Sequence, residues 1–395
     1  MKILFLVSEN PYPPRNGLTI PIYNHIKLFE SLGHQVECLA IGNHYTGDEA
    51  ISTLPRIETG RLSKLLREIF FGAPYFDVDI DSSAARKFAN SLESVDVIYY
   101  SPISMHKVAD LLSTEIKRRT KTAPCVIAAI SDCYTAVLRT SWYSAGGKNF
   151  TNLIKWARSW YFWKIEKNIL NKADTIFVQT EKDKNWLIRF GCNADSISVI
   201  TNGVDSNLLS IEPTDSESLV FVGNMRSSYY RDKLTWFLHQ VWPQVVDSFP
   251  RARLHVYTSG VDCSDIFKPS LKTVVFHQDF VENLTDIYKG KLICIAPIFK
   301  DYGFINKVAE AMAAGLVVIG DNSAFNGMSF SNEERCRVVA DTAEDYVREI
   351  KRLLKDPSIA RTIGANAQIF AKSNFMWESR KELLRHSLFS NPYDS

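Results

Sequence analysis

Several patterns that would assign a protein to a simple class are missing from this chain of 395 residues. Its cysteines lie scattered, without a C-x-x-C pair, at positions 38, 125, 133, 192, 263, 294 and 336. An odd, dispersed set is typical of buried thiols in a reducing cytosol and argues against disulfides and zinc sites. No stretch approaches 18 apolar residues, and the apolar run after Met1 is too short for a signal peptide. We therefore expect a cytoplasmic chain without a membrane span or a secretory leader.

An excess of charge of either sign is also missing. The formal net charge is +2, which argues against a dedicated nucleic-acid binder. No G-x-G-x-x-G fingerprint occurs, so a nicotinamide oxidoreductase is disfavoured and no cofactor is predicted. Hydrophobic residues make up 46% of the chain, which is ordinary for a soluble protein and sufficient, at this length, for two domains.

The most informative stretch that is present is the segment 303–315. Apolar runs at 292–297 and 316–319 flank it, which predicts the order strand, loop, helix, strand of a βαβ unit. Gly303 falls in the entry loop, and Gly315 suits the left-handed position that follows a helix.

Three polar residues share one face in the first two turns of that predicted helix: Asn306, Lys307 and Glu310. A helix N-terminus attracts anions, and a lysine there favours a diphosphate. A glutamate one turn deeper can accept hydrogen bonds from a ribose diol. The alternative is an ordinary surface helix in which Lys307 and Glu310 form a pair.

The chain begins with a similar pattern. Residues 2–8 predict a buried parallel strand, and a loop at 9–17 with three prolines leads into a helix at 19–32. Ligands of open α/β sheets bind beyond the carboxyl ends of the strands. Asn16 and Gly17 are therefore expected to line a cleft, unless the loop is only a rigid turn.

Asp132 follows a predicted strand at 124–130, again at a carboxyl end. It is the best acid/base candidate in the first half of the chain. The alternative is that it caps the next helix.

A second strand–loop–helix start occurs at 219–223. The loop that follows carries Arg226 and Arg231, and Lys233 opens a helix predicted at 233–247. Arginine forks match phosphate oxygens, so these cations are candidates for phosphate binding.

Two stretches of the first half combine basic with apolar or aromatic residues. The first is a basic amphipathic helix at 61–71, and the second is the aromatic and basic stretch 142–170. Both patterns favour contact with an anionic membrane, although each also fits a helix that packs on a core. Between them, the acids of 77–81 match a D-x-D pattern, but no histidine is nearby and we predict no metal site.

Four pieces of this sequence together resemble GT-B-fold glycosyltransferases of the glycosyl transferases group 1 family, also called family-4-like. They are residues 2–8 with Pro13, Pro14 and Gly17, then 202–205, 221–223, and the N-K-V-x-E-A-M-A-x-G of 306–315. The resemblance covers essentially the whole chain.

This resemblance implies an α/β GT-B fold, two Rossmann-like domains with parallel sheets facing across a cleft. The expected parts are an acceptor domain at 1–205, a linker at 206–218 and a nucleotide-sugar donor domain at 219–375. The last part, 376–395, is a helix that packs back on the N-terminal domain.

The resemblance also assigns roles to single positions. Glu310 matches the second acid of the family's two-glutamate motif and would bind the donor ribose, whereas Tyr302 stands where the first acid is expected. Arg226 and a following cation, Arg231 or Lys233, would contact the diphosphate.

We therefore predict a metal-independent glycosyltransferase of surface polysaccharide or glycolipid assembly that retains the anomeric configuration. An inverting mechanism with Asp132 as base, a nucleotide-sugar epimerase and a catalytically degenerate binding subunit are the alternatives. The expected partners are a nucleotide-sugar donor, a glycan or lipid-linked acceptor and, peripherally, an anionic membrane. The candidate catalytic residues are Asp132 and Glu310, and the candidate substrate-binding residues are Asn16, Gly17, Arg226, Arg231, Lys233, Val281, Gly303, Phe304, Asn306, Lys307 and Glu310.

Overall fold

A computed structural model gives the structure of the chain. It describes residues 1–14, 16–42, 51–71, 74, 76–144, 150–212, 214–225, 227–258, 272–279, 281–298, 303–331 and 335–389. Two of the positions singled out above, Arg226 and Tyr302, lie outside the described residues.

The chain forms two compact units. The first comprises Met1–Asn202 together with Trp377–Ser395, and the second comprises Gly203–Met376. The chain therefore passes from one unit to the other twice.

The first unit is built on a sheet of parallel strands. The strands are β1 Lys2–Val7, β2 Gln35–Ile41, β3 Ser52–Leu54, β4 Arg56–Ile57, β5 Asp79–Ile80, β6 Val97–Ser101, β7 Cys125–Ala129, β8 Thr175–Val178 and β9 Ile197–Val199. In the described part of the chain the sheet has the order β3-β2-β1-β6-β7-β8-β9, and β4 and β5 form a separate antiparallel pair. β1 lies between β2 and β6, and its residues from Ile3 onward are almost completely buried, as expected of a parallel strand covered on both faces.

Helices connect these strands and cover the sheet. The first ends close to its predicted boundary, and Gly33 follows it with a φ of 82°, a conformation that glycine adopts readily. The helices are α1 Thr19–Ser31, α2 Arg61–Phe71, α3 Ser82–Ser91, α4 His106–Thr120, α5 Tyr134–Ser144, α6 Phe150–Leu170 and α7 Glu181–Arg189.

The second unit repeats this design. Its strands are β10 Ser218–Val222, β11 Arg253–Tyr257, β12 Val274–His277, β13 Ile293–Ala296, β14 Val317–Gly320 and β15 Val338–Val339. In the described part of the chain these parallel strands lie in the order β12-β11-β10-β13-β14-β15. Two parallel α/β sheets confirm the predicted fold class.

One helix of this unit was predicted as continuous, at 233–247, but is divided in two. Pro243 lies in the first turn of the second helix, and proline has no N–H to continue a preceding helix. The helices are α8 Ser228–Gln240, α9 Trp242–Ser248, α10 Leu284–Tyr288, α11 Asn306–Ala313, α12 Ala343–Lys355 and α13 Pro357–Asn374.

The segment 206–218 differs from a plain linker. It belongs to the second unit, where Ser206–Ser210 forms a 3-10 turn and Leu208 is fully buried in the core. An apolar side chain removed from water in this way attaches the segment to that unit.

The C-terminal segment returns to the first unit. A 3-10 turn at Trp377–Ser379 leads into α14, Arg380–Phe389. Leu384 is fully buried in the core that α1 helps to form, and Lys381 Nζ donates to the carbonyl of Ser31 at 2.9 Å. Among the described residues, no helix is long and apolar enough to cross a bilayer.

Candidate functional site

The helix α11 starts beyond the carboxyl end of β13, as the sequence predicts. Gly303 has a φ of 69° and turns the entry loop, and Gly315 has a φ of 75° just past the helix. Ile305 precedes the first turn and provides no side-chain cap. The side chain of Ile305 therefore does not offset the partial positive charge at this end of the helix.

Lys307 and Glu310 lie in the first turns of α11 and are both half-buried. Lys307 lines a small depression together with residues at the ends of β10 and β13, among them Val222 and Ala296. Glu310 accepts a hydrogen bond from the hydroxyl of Tyr288, with 2.7 Å between the oxygens. The structure therefore brings a cation, a carboxylate and a helix N-terminus to one edge of the second sheet.

Asp321, after β14, anchors the same edge. Its buried carboxylate accepts from the backbone N–H of Ile298 at 2.8 Å and of Ser323 at 2.9 Å. The first of these bonds fixes the chain just beyond β13, where the loop towards α11 begins. Two strand ends are thus tied together beside Lys307.

Lys233 and Arg231 come from α8, which follows β10. Burial lowers the pKa of Lys233, and the negative charge of Asp321 opposes that shift. Arg231 Nη1 donates to the carbonyl of Met225 at 2.5 Å. Of these two cations, Lys233 is the one whose pKa is affected by Asp321.

Two other candidates of this unit contribute apolar side chains to its core. Phe304 is 7% exposed, and its ring centroid lies 5.4 Å from that of Phe375. Val281 is half-buried and packs against the same core. Contacts with a ligand at these two positions would therefore involve the backbone. Asn306, the first residue of α11, is half-buried.

In the first unit, Asn16 organises the start of α1. Its Oδ1 accepts from the N–H groups of Leu18 and Thr19 at 2.9 and 3.0 Å, and its Nδ2 donates to Glu9. Gly17 is exposed, and a Cβ added there would meet nothing within 4 Å. Hydrogen bonds thus tie Asn16 to its neighbours, whereas the space around Gly17 is open.

Asp132 lies between β7 and α5 and is half-buried. The N–H groups of Tyr134 and Thr135, which begin α5, donate to Glu166 at 2.6 and 2.9 Å. Glu166 therefore caps this helix from a position 32 residues further along the chain. Burial raises the pKa of Glu166 even though these hydrogen bonds act in the opposite direction.

The acids of 77–81 have separate structural partners. Asp77 is buried, and its two oxygens lie 3.0 Å from His106 Nε2 and 2.6 Å from Lys107 Nζ. Asp79 pairs with Arg67, which holds its pKa down at about 2. Asp81 caps α3 through the N–H of Ser83. Each carboxylate is therefore already engaged within the fold.

Tyr288 and Asp321 were missed by the sequence reasoning. Tyr288 is the last residue of α10, and Asp321 follows the strand predicted from the apolar run at 316–319, but neither belongs to a motif. Their contacts with Glu310 and Ile298 span 22 and 23 residues. Patterns among neighbouring residues in the sequence cannot predict contacts over such separations.

Two family profiles match this chain. The profile described as glycosyl transferases group 1 matches residues 216–356, and the profile described as glycosyltransferase family 4 matches residues 15–208. Each profile covers most of one α/β unit.

Similar proteins extend over almost the full length. An uncharacterized 44.6 kDa protein in the cps region of Klebsiella pneumoniae is 20% identical over 407 residues, which cover 95% of this chain and 96% of that protein. Among solved structures, Anabaena HepE in complex with UDP and glucose has a TM-score of 0.64 at 15% identity, with 99% and 100% of the two chains covered. The sucrose-phosphate synthase of Thermosynechococcus elongatus has a TM-score of 0.69 at 19% identity, with the same coverage. At these identities the likeness shows the fold.

The two parallel α/β units have the architecture of the GT-B fold, which these solved structures share. Residues 216–356 match the group 1 profile and residues 15–208 match the family 4 profile, so this chain is a glycosyltransferase of the group 1 type.

Proposed function

We propose that the donor is a nucleotide sugar and that its diphosphate binds at the N-terminus of α11. The observation that carries this proposal is the position of Lys307, on a helix start without a side-chain cap and beside the carboxyl ends of β10 and β13. Such an end attracts phosphate, and a lysine adds a full charge. The complex of Anabaena HepE with UDP and glucose supports a nucleotide donor.

In this proposal, Lys307, Lys233 and Arg226 neutralise the negative charge that develops on the leaving diphosphate. Stabilising such a charge is the main electrostatic demand of the reaction. Protein cations meet it here, so we propose that transfer needs no metal ion. Glu310 accepts from the ribose hydroxyls, and the hydrogen bond from Tyr288 keeps its carboxylate in position.

We assign the acceptor, a glycan or a lipid-linked sugar, to the first unit. Asp132 and the open loop at Gly17 both follow strands of its sheet at their carboxyl ends. Similarity to a protein of a cps region supports a role in surface polysaccharide or glycolipid assembly. We propose transfer with retention, while inversion with Asp132 as the base remains the alternative.

For this role we propose a cytoplasmic enzyme that works at the inner face of the membrane. A lipid-linked acceptor would be presented there, and peripheral attachment would keep the enzyme at its substrate.

Calorimetric titration with UDP, GDP and ADP, followed by the matching nucleotide sugars, tests the donor proposal. Binding of one diphosphate far more tightly than the others is expected, because the base must be recognised as well as the phosphates. A ligand that binds only the native state also raises the unfolding temperature. No binding of any of the three to folded protein would refute the proposed site. The anomeric configuration of the product then separates retention from inversion.

A further inference from the structure

The helix α2 packs with its charged face inward. Glu68 is 1% exposed, and its carboxylate accepts from Arg158 Nε at 2.8 Å and from the hydroxyl of Tyr161 at 2.7 Å. Arg67 lies 2.7 Å from Asp79. A surface helix of a globular protein normally has the opposite orientation, with the apolar stripe towards the core.

The apolar face of α2 is accordingly turned to solvent. Leu62 is 69% exposed and Phe70 is 72% exposed, and Leu65 and Leu66 accompany them at 36% and 44%. A single exposed leucine is ordinary, but a continuous apolar stripe on a helix marks an interaction surface.

The neighbouring helix α6 extends this surface. The two helices are in contact, because Glu68 of α2 bonds to Arg158 and Tyr161 of α6. On the outer side of α6, Leu153, Ile154 and Trp160 are exposed. Seven of the fourteen exposed large hydrophobic residues in the described part of the chain belong to these two helices. Half of the exposed large hydrophobic residues are therefore concentrated on two helices that contact each other.

The charges on these two helices are of one sign where they meet solvent. Both acidic residues, Glu68 and Glu166, are buried, whereas Arg61, Lys155 and Lys164 are exposed. This surface therefore combines apolar side chains with cations.

A groove beside Trp160 adds two arginines. Arg139 lies over the ring of Trp160 at 5.6 Å, and Arg189 lies over the ring of Trp186 at the same distance. Trp163 and Phe190 complete the aromatic walls of the groove. Two guanidinium groups between aromatic rings suit the phosphate of an amphiphilic anion.

We propose that α2 and the outer face of α6 dock this enzyme on an anionic phospholipid bilayer. Leu62, Leu66, Phe70 and Trp160 enter the boundary between headgroups and acyl chains, and the groove arginines contact lipid phosphates. A second copy of the chain is a poorer occupant, because an isologous contact brings the same cations towards each other. The inference gives a surface to the peripheral attachment proposed above and is independent of the donor site.

The apolar side chains drive this docking, which changes the interpretation of the basic pattern at 61–71. Lys64 donates to the carbonyl of Asp77 at 3.0 Å, and Arg67 pairs with Asp79, so neither is directed towards lipid. Raised salt screens the contribution of the exposed cations only. We therefore expect salt to weaken vesicle binding in part and not to abolish it.

Sedimentation of the full chain with vesicles tests the proposal, using phosphatidylcholine alone and an equimolar mixture with phosphatidylglycerol. The double variant Leu62→Ser/Phe70→Ser should bind mixed vesicles at least roughly tenfold more weakly, since it removes two large apolar side chains from the contact. The matched control is Ile369→Ser, which removes an exposed residue of the second unit and should leave binding unchanged. Arg139→Gln/Arg189→Gln should reduce the preference for the anionic mixture.

The proposal is overturned if the unaltered protein does not bind mixed vesicles, or if the double variant binds them as well as the control does. It is also overturned if the unaltered protein is a dimer that the same double variant dissociates, because a second copy then covers the surface. Titration of the double variant with UDP keeps the two proposals apart. If the double variant loses vesicle binding but still binds UDP, the result supports the docking surface alone. If a Lys307→Ala variant loses UDP binding but still binds vesicles, the result supports the donor site alone.

Discussion

The hydroxyl of Tyr288 and Oε2 of Glu310 lie 2.7 Å apart, so α10 holds the carboxylate that α11 carries. Tyr288 is fully buried, and burial together with the charge of Glu310 raises its pKa well above the usual value. The tyrosine therefore remains protonated and donates. This contact holds one oxygen of Glu310 against α10 at the edge of the second sheet.

Tyr288→Phe should weaken nucleotide binding while preserving the fold. The carboxylate of Glu310 loses a hydrogen bond, which lowers the free energy of unfolding by about 1–1.5 kcal/mol, because half-exposed Glu310 can still bond to water. Urea unfolding and UDP titration of the same preparation measure both effects. UDP affinity equal to that of the unaltered protein would show that the orientation of Glu310 does not matter for the donor.

Lys307→Ala should weaken binding of the nucleoside diphosphate by about 1.5–3 kcal/mol, the usual contribution of a charged hydrogen bond. Glu310→Gln should cost less than Glu310→Ala, because an amide oxygen still accepts one bond. The control is Lys355→Ala, an exposed lysine at the end of α12. Unchanged affinity in a folded Lys307→Ala protein would place the donor site elsewhere.

Asp132→Asn should lower the rate of transfer severely and leave nucleotide affinity almost unchanged. An amide cannot accept the acceptor's proton or stabilise a positive charge as a carboxylate does. Initial rates with a nucleotide sugar, measured beside a UDP titration, separate the two effects. Normal turnover would reduce Asp132 to a structural residue between β7 and α5.

Glu68→Ala should destabilise the first unit by about 3–5 kcal/mol, because it leaves Arg158 largely buried without its carboxylate partner. The control Glu93→Ala removes an exposed acid after α3 and should change little. Replacing the pair together, as Glu68→Leu/Arg158→Met, should recover part of the loss. Denaturant titration of the unaltered protein and the three variants measures their free energies of unfolding. Equal stability of Glu68→Ala and the control would contradict the stabilising role assigned to the Glu68–Arg158 pair.

Acid should destabilise the first unit through His25. Its Nδ1 lies 2.7 Å from the hydroxyl of Tyr99, and burial, followed by the charge of Arg380, lowers its pKa from 6.5 to about 4. Between pH 6.5 and about 4, His25 is protonated in the unfolded chain but stays neutral in the folded chain. Stability should therefore be complete above pH 6.5 and fall by about 3 kcal/mol as the pH drops to 4.

The variant His25→Leu should flatten this pH dependence, whatever its effect on stability at neutral pH. His239→Gln removes an exposed histidine of the second unit and is the control. Thermal unfolding between pH 4 and 7.5 provides the measurement. A slope that persists in His25→Leu would assign the acid sensitivity to other groups.

Several elements were predictable from local pattern. The helix after β1 and the helix that begins at Asn306 were placed almost to the residue, because apolar periodicity and the following Gly33 and Gly315 are local signals. The predicted helix 233–247 was wrong, since Pro243 outweighs the apolar pattern around it. The aromatic stretch at 142–170 likewise contains the end of one helix, α5, and the start of another, α6.

By itself, the sequence determined two parallel α/β units and a polar helix face at Lys307 and Glu310, since apolar runs, helical periodicity and glycine positions are short-range properties. Only the tertiary structure decided which face of α2 is buried. An amphipathic pattern defines two faces, but Glu68 turns inward because Arg158 and Tyr161, about 90 residues away, compensate its charge. The contact between Tyr288 and Glu310 has the same origin, because a hydrogen bond across the fold depends on the packing of whole helices.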